Sequence, residues 1–520
     1  MKVLKSKSSN RDKYFNIDQL KSELKRRTVR GAVATVISQV SIYGIQMIGT
    51  IVLARLLTPE DFGLVAMVSA FSILLQNFGL RGFTEATIQS DVITHKKIST
   101  LFWIHLALSS GLALFFIALS PLIAWFYKDP RLESITIVIS ISFIFSALST
   151  QHLALLTRNM QFYKIAANEV VAAFVATILA IAMAWQGCGY WAIAVRRVVP
   201  MIALAAGAWI LCRWLPGKPT RGAGVKELLK FGLNTYGNFT TNYLSRNLDK
   251  ILIGWRYGAQ SLGYYERAYY LFVMPVSQLS YPLTNVAVAA LSRLRDDPEK
   301  YCNYYLKAVS MIALIGMPLS AILTLIGKDF LLLLLGPQWN RAGEIFSVFG
   351  PGIGILLIYG THGWLHLSLG RADRWFRWGI IELLATIIAF IIGLPFGAIG
   401  VAIACTLSFY LLIGPGLWYA GKPIHLKLFS ILLAIWRYYM AALVAGLSCW
   451  IAFYFINISS NIFIELNIFV RILLPIILCS LLYLIFIITL YRGIKPISQF
   501  TTLLHEMLPN FFSKISNKHD

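Results

Sequence analysis

Charge is what this chain is short of. Only 13% of its 520 residues are Asp, Glu, Lys or Arg, against roughly 25% in ordinary soluble domains. Acids are scarcer still, at 23 against 46 Lys and Arg. A soluble multi-domain enzyme needs polar surfaces around each core, and a chain that is 58% hydrophobic, with runs such as "ISTLFWIHLALSSGLALFFIALSPLIAWFY", leaves nowhere to put them. The chain reads as an integral membrane protein. The net charge of +23 then belongs to loops on the cytoplasmic side, and no nucleic-acid partner is expected.

Cysteine is also sparse. The six residues Cys188, Cys212, Cys302, Cys405, Cys449 and Cys479 stand singly, with no CxxC and no framework spacing, so neither disulfides nor a metal site is expected. No GxxxxGK[ST] loop occurs, which excludes ATP binding by that route, and no cofactor is expected. His362 and His366 have a spacing able to hold a metal on a helix, but no Glu adjoins them and no third ligand is in view. Sizeable outside loops, needed by enzymes that act on lipid-linked sugars, are missing as well. Asp129 and Glu133 in "YKDPRLE" read as caps of the helix after Pro130. The first 30 residues carry ten Lys or Arg against three acids, with no apolar stretch of the signal-peptide kind, and read as a basic cytoplasmic tail.

What is present is a series of apolar stretches. Requiring about 20 mostly apolar residues per span predicts about fourteen transmembrane helices, near 31–57, 62–80, 99–126, 134–156, 162–184, 189–213, 228–255, 266–291, 303–326, 342–369, 374–393, 396–419, 432–456 and 468–491. The predicted fold is an all-α polytopic membrane protein. Arg158, Lys164, Arg213, Lys218, Arg221, Lys226, Arg371, Arg374, Arg377, Lys422 and Lys427 fall on alternate loops, which predicts both termini in the cytoplasm.

Internal similarity divides these helices. At an offset of 200, "RLLTPEDFGLVA" from Arg55 lies over "WRYGAQSLGYYE" from Trp255, with Gly63 on Gly263. At an offset of 210, "GCGYWAIA" from Gly187 lies over "GAIGVAIA" from Gly397. The two matches fall at equivalent points of two six-helix blocks, and an even helix count makes the repeats parallel, related by a pseudo-two-fold along the membrane normal. The expected organisation is a tail over 1–30, an N-lobe over 31–214, a cytoplasmic linker over 215–227, a C-lobe over 228–421, two added helices over 422–492 and a cytoplasmic tail over 493–520. Pro275, Pro282, Pro318 and the "FGPGIG" run at 349–354 interrupt the later helices, and such breaks require neighbouring protein or a cavity to satisfy the freed backbone.

The runs "RGAVATVISQVSIYGIQMIGTIVLARLLTPEDFGLVAMVSAF" and "NYLSRNLDKILIGWRYGAQSLGYYERAYYLFVMPVSQL" resemble the polysaccharide transporter family, the colanic acid and O-antigen exporter group of the superfamily that also holds multidrug exporters and the lipid II flippase. The resemblance runs from about Arg30 to Gly421. It implies a two-lobed flippase, not an enzyme, that carries an undecaprenyl-diphosphate-linked oligosaccharide across the bacterial inner membrane for lipopolysaccharide or exopolysaccharide synthesis. Its partners would be that lipid-linked substrate, membrane lipids, a coupling H+ or Na+, and the polysaccharide polymerase machinery. A small-molecule exporter of the same superfamily and a membrane polymerase or ligase are the alternatives.

Two residue groups fit such a cycle. Arg246, Asp249 and Lys250 lie on one helical face, inside an apolar stretch where a lipid-facing charge costs at least ~2.5 kcal/mol. Asp249 can neutralise only one cation, so the other must meet water or an anion. The expectation is a cationic cavity in which Arg246 and Lys250, faced by Arg196 or Arg197, hold the substrate's diphosphate while Asp249 orients Arg246. At the offset of 200 the matching places are Gln46, Gly49 and Thr50, which predicts this charge in one lobe only. Glu169 and Glu382, in the fifth and eleventh predicted helices, are the candidate ion-coupling residues, one of which, or Asp249, would bind the ion, with a loop Arg or Lys as a competing partner for each glutamate.

Overall fold

The computed structural model describes residues 24–89, 94–220, 226–460, 467–494 and 498. The side chains of 24–30, 32, 77–86, 88–89, 226–242, 245–246, 281–282 and 456–460 are outside the description, as are most of the two expected tails and residues 221–225 of the expected linker. Among the described residues every regular element is helical. In order these are α1 (Leu24–Leu56), α2 (Pro59–Gln89), α3 (His95–Ala118), α4 (Ser120–Tyr127), α5 (Arg131–Arg158), α6 (Phe162–Trp185), α7 (Tyr190–Cys212), α8 (Lys226–Arg293), α9 (Pro298–Leu335), α10 (Asn340–Phe349), α11 (Gly352–Tyr359), α12 (His362–Ser368), α13 (Ala372–Gly393), α14 (Gly397–Gly421), α15 (Leu428–Ser460) and α16 (Ile468–Tyr491). Nine helices among the described residues are long and apolar enough to cross a membrane, ten if the bent run from α10 to α12 is one span. The protein is therefore a multi-pass α-helical membrane protein.

Local chemistry explains where the helices start and stop. Thr58 and Asp61 form a capping box at the start of α2: the Thr58 N–H and hydroxyl donate to Asp61 Oδ2 at 2.9 and 2.7 Å, and the Asp61 N–H donates back to Thr58 Oγ1 at 3.3 Å. Pro59 takes the first helical position, where its missing N–H costs nothing. At α5, Asp129 Oδ1 accepts from the Arg131 N–H at 3.0 Å, as its sequence position suggested. The Arg131 guanidinium reaches both Asp129 (2.7 Å) and Glu60 (2.5 Å), joining the starts of α2 and α5. This hydrogen-bonded guanidinium holds the Asp129 carboxyl below the usual carboxylate range.

The chain divides into two compact units between Gly263 and Tyr264. In the first, α5 is the central helix, packed on α2, α3 and α7. Its many buried Ser and Thr hydroxyls bond back to carbonyls of their own helix, as Thr136 does to Leu132 and Thr150 to Ser146, which lets a polar sequence sit in an apolar core. Phe116 and Phe143 stack at 5.6 Å. In the second unit α9 packs on α10, α11, α15 and α16. The "FGPGIG" run breaks the chain between α10 and α11, within a bend of 54°. Three carbonyls there accept from neighbouring hydroxyls: Val348 from Thr406 (3.1 Å), Gly350 from Ser320 (2.6 Å) and Pro351 from Tyr410 (2.9 Å). Surrounding protein thus meets the polar demand of the break.

Two expected spans are divided: residues 99–126 form α3 and α4, parted at Leu119 ahead of Pro121, and residues 342–369 form α10, α11 and α12. The predicted helices over 228–255 and 266–291 are continuous as α8 except at Gly258, whose φ of 78° a side-chain-bearing residue adopts only with strain.

Candidate functional site

The charged stretch of α8 precedes the break at Gly258. Asp249 is 1% exposed despite its charge, and its Oδ1 accepts from the Lys250 N–H at 2.8 Å. Lys250 is half-buried, its Nζ donating to Asn247 Oδ1 at 3.0 Å, and the Asn247 amide donates to the Tyr243 carbonyl, also at 3.0 Å. Tyr243 in turn donates its hydroxyl to the Ala70 carbonyl of α2 at 2.8 Å. The Arg246 side chain lies outside the described residues. Tyr243 and Asn247 were not singled out from the sequence, although their spacing of four and three residues to Asn247 and Lys250 puts them on the same face.

The two arginines of α7 separate. Arg196 donates to the Gln46 carbonyl (2.8 Å) and to Thr50 Oγ1 (3.1 Å) on α1. Arg197 is exposed and makes no ion pair among the described residues; the Tyr243 ring lies within electrostatic reach of both Arg197 and Asp249. Arg197 and Asp249 thus both act on Tyr243 electrostatically, whereas Arg196 is turned to another helix. Gln46 and Thr50 are the places that an offset of 200 lays under Arg246 and Lys250, so Arg196 supplies a cation at the matching position of α1.

Two further features respect the same offsets. A Cβ on Gly63 would run into the Ala259 carbonyl, and a Cβ on Gly263 would run into the Pro59 carbonyl. Each contact is the image of the other at 200 residues. At 210 residues, Gly187 and Gly397 share positive φ angles of 79° and 77°.

Glu169 of α6 and Glu382 of α13 are both half-buried, and neither carboxylate is in an ion pair among the described residues, so no loop Arg or Lys neutralises them there. His362 and His366 have ring centroids 6.0 Å apart; His362 Nδ1 lies 2.6 Å from the Tyr359 carbonyl. No third His, Cys, Asp or Glu joins them among the described residues. One pair invisible to local reading is Arg471 with Asp329, which ties α16 to α9. The described α7–α8 residues thus comprise an exposed Arg197, a hydrogen-bonded Lys250 and a buried Asp249.

The family described as polysaccharide biosynthesis protein matches residues 52–344, more than half of the chain. The lipopolysaccharide biosynthesis protein WzxC of Escherichia coli (strain K12) is 26% identical over 75% of this chain and 79% of its own length. The teichuronic acid biosynthesis protein TuaB of Bacillus subtilis (strain 168) is also 26% identical, over 68% of this chain and 74% of its own. Among solved structures, the lipid II flippase MurJ in an inward closed conformation superposes with a TM-score of 0.70 at 17% identity, covering 89% of this chain and 99% of that one; at that identity the likeness is one of fold.

Proposed function

The chain belongs to the polysaccharide biosynthesis protein family, and from that premise we propose that it is a flippase, not an enzyme, for an undecaprenyl-diphosphate-linked oligosaccharide. It moves the repeat unit from the inner to the outer leaflet of the bacterial inner membrane, ahead of the polysaccharide polymerase machinery. In this reading fourteen spans form two six-helix lobes, over 31–214 and 228–421, with two added helices and both termini in the cytoplasm. The reciprocal glycine contacts and the matched glycine angles support that repeat.

The observation that carries the proposal is that exposed Arg197 on α7 and buried Asp249 on α8, next in the chain to Lys250, lie within electrostatic reach of the same Tyr243 hydroxyl. Two cations with one buried acid leave positive charge for an anionic headgroup. Each charge-assisted hydrogen bond to a phosphate oxygen contributes about 1.5–3 kcal/mol. Arg246 joins this cavity, oriented by Asp249. Arg196, tied to α1, holds the cavity's wall and reaches the phosphates only if that tie opens. A carrier of cationic drugs would place acids where these cations stand. The lobes alternate access around the site, and Glu169 or Glu382 couples the cycle to H+ or Na+.

The test is deletion of the gene, followed by leaflet-resolved assay of lipid-linked repeat units. Accumulation on the cytoplasmic leaflet with loss of surface polysaccharide is the expected result. Units reaching the outer leaflet at the normal rate would overturn the reading.

A further inference from the structure

The first unit contains a second polar arrangement, remote in sequence from the charged stretch of α8 and independent of the substrate. His152 of α5 is fully buried. Its Nδ1 lies 3.1 Å from the Leu148 carbonyl and its Nε2 3.1 Å from the Trp214 carbonyl. Both neighbours only accept hydrogen bonds. A neutral imidazole has one N–H and one lone pair, so either tautomer turns a lone pair on a carbonyl oxygen. The imidazolium alone donates to both.

The rings around it suit a cation. Trp209 of α7 stacks on His152 with centroids 4.5 Å apart and planes at 28°, so the indole's negative face underlies the imidazole. Phe102 and Trp214 meet it edge-on at 6.1 and 5.2 Å. Trp209 Nε1 also donates to the Leu148 carbonyl, at 3.0 Å, which fixes that indole in place. Burial opposes the charge, while the two hydrogen bonds and the indole face favour it.

Among the described residues, the elements around His152 carry few titratable groups. From α3 come His95, whose ring meets Trp214 at 5.9 Å, and buried His105. From α7 comes Cys212, in the same apolar cluster. From α5 itself comes Arg158, which donates to the Thr87 carbonyl, and from the segment after α7 comes exposed Arg213.

Trp214 opens the segment that leaves α7 for α8, and that segment is fastened along α3. His95 Nε2 lies 3.2 Å from the Leu215 carbonyl. Ser99 Oγ accepts from the Gly217 N–H at 2.8 Å, Trp103 Nε1 donates to the Gly217 carbonyl at 2.8 Å, and Thr100 Oγ1 accepts from the Thr220 N–H at 3.0 Å. Of the two carbonyls at His152, Leu148 is fixed within a helix and Trp214 is not.

We propose that His152 is a proton-binding site, in which the bound proton lets the imidazolium bridge the Leu148 and Trp214 carbonyls on the face of Trp209 and so fastens the start of the segment joining α7 to α8. Release of the proton removes one of the two bonds and loosens Trp214.

The experiment uses the full chain in liposomes of bacterial phospholipid, with nitrogen-15 in histidine rings and carbon-13 in tryptophan carbonyls. Solid-state magnetic resonance selects the ring nitrogen dipolar-coupled to the Trp214 carbonyl, so no assigning mutation is needed. At about pH 6, near the ordinary range of histidine, both nitrogens of that ring are expected to carry protons. Trp209→Leu should move release of the second proton down by about one pH unit, the size of one cation–π contact. A single-proton ring at every pH from about 5 to 9, or no ring coupled to a tryptophan carbonyl, would overturn the proposal. Protons held on both nitrogens throughout that range support it.

Discussion

The stretch of α1 around Gln46 and Thr50 and the stretch of α8 around Arg246 and Lys250 lie at an offset of 200 residues, yet they meet cationic charge in opposite ways. On α1 the charge is borrowed: Arg196 comes from α7 and is consumed by a carbonyl and a hydroxyl. On α8 the charges are carried by the helix itself, around a buried Asp249. The offset of 200 sets uncharged residues of α1 against the charges of α8, and α7 brings a cation to those α1 residues. The pair teaches that a cation tied to a neighbouring backbone serves packing, whereas Arg197, exposed and without a counter-ion among the described residues, has no such structural tie.

The comparison is broken most sharply by removing the helix-borne cations. Arg246→Ala with Lys250→Ala should abolish surface polysaccharide in a complementation assay, at unchanged membrane levels of protein, since two lost phosphate contacts cost ~3–6 kcal/mol. Normal export would sink the diphosphate site. Next in size are the single α7 variants. Arg197→Ala should lower export at least about ten-fold with an unaltered melting temperature, while Arg196→Ala should lower the melting temperature and reduce export only in proportion to folded protein. Equal behaviour of the two would erase the distinction drawn here. Asp249→Asn should impair export less than either cation pair does.

Gly63→Ala and Gly263→Ala probe the repeat itself. Each places a methyl against a backbone carbonyl and should destabilise by ~1–3 kcal/mol, the two by similar amounts; a cost at one site only would count against the reciprocity. Glu169→Gln and Glu382→Gln leave packing intact, and at least one should flatten the pH or sodium dependence of flipping without removing it. The smallest effect belongs to Asp129. Its carboxyl is held low by Arg131, so its contribution is fully present above the unfolded value near pH 3.9 and is lost only as pH falls through the lower folded value. Asp129→Asn should therefore cost under ~1 kcal/mol at neutral pH, because the pair faces solvent, and nothing in strong acid; thermal melts at the two pH values measure this.

The membrane class and the capped helix starts were legible in the sequence, because each depends on neighbours within a few residues. Apolar length defines a span, and Thr58 three residues ahead of Asp61 makes a capping box whatever lies elsewhere. The offsets of 200 and 210 were legible too, since glycine is demanded by backbone conformation and close approach. Spacing also put Arg246, Asp249 and Lys250 on one face. Tertiary structure alone decided which partner each polar group met. Nothing local distinguishes Arg196 from Arg197, yet a 100° step around α7 turns one to α1 and the other toward Tyr243. Ser320, Thr406 and Tyr410 satisfy the carbonyls of a break far from them in the chain, Arg471 finds Asp329 across 142 residues, and His152 meets Trp214 across 62. A charge or a carbonyl in an apolar environment must be satisfied, but the requirement names no partner; only the packing of distant helices brings one within 3 Å.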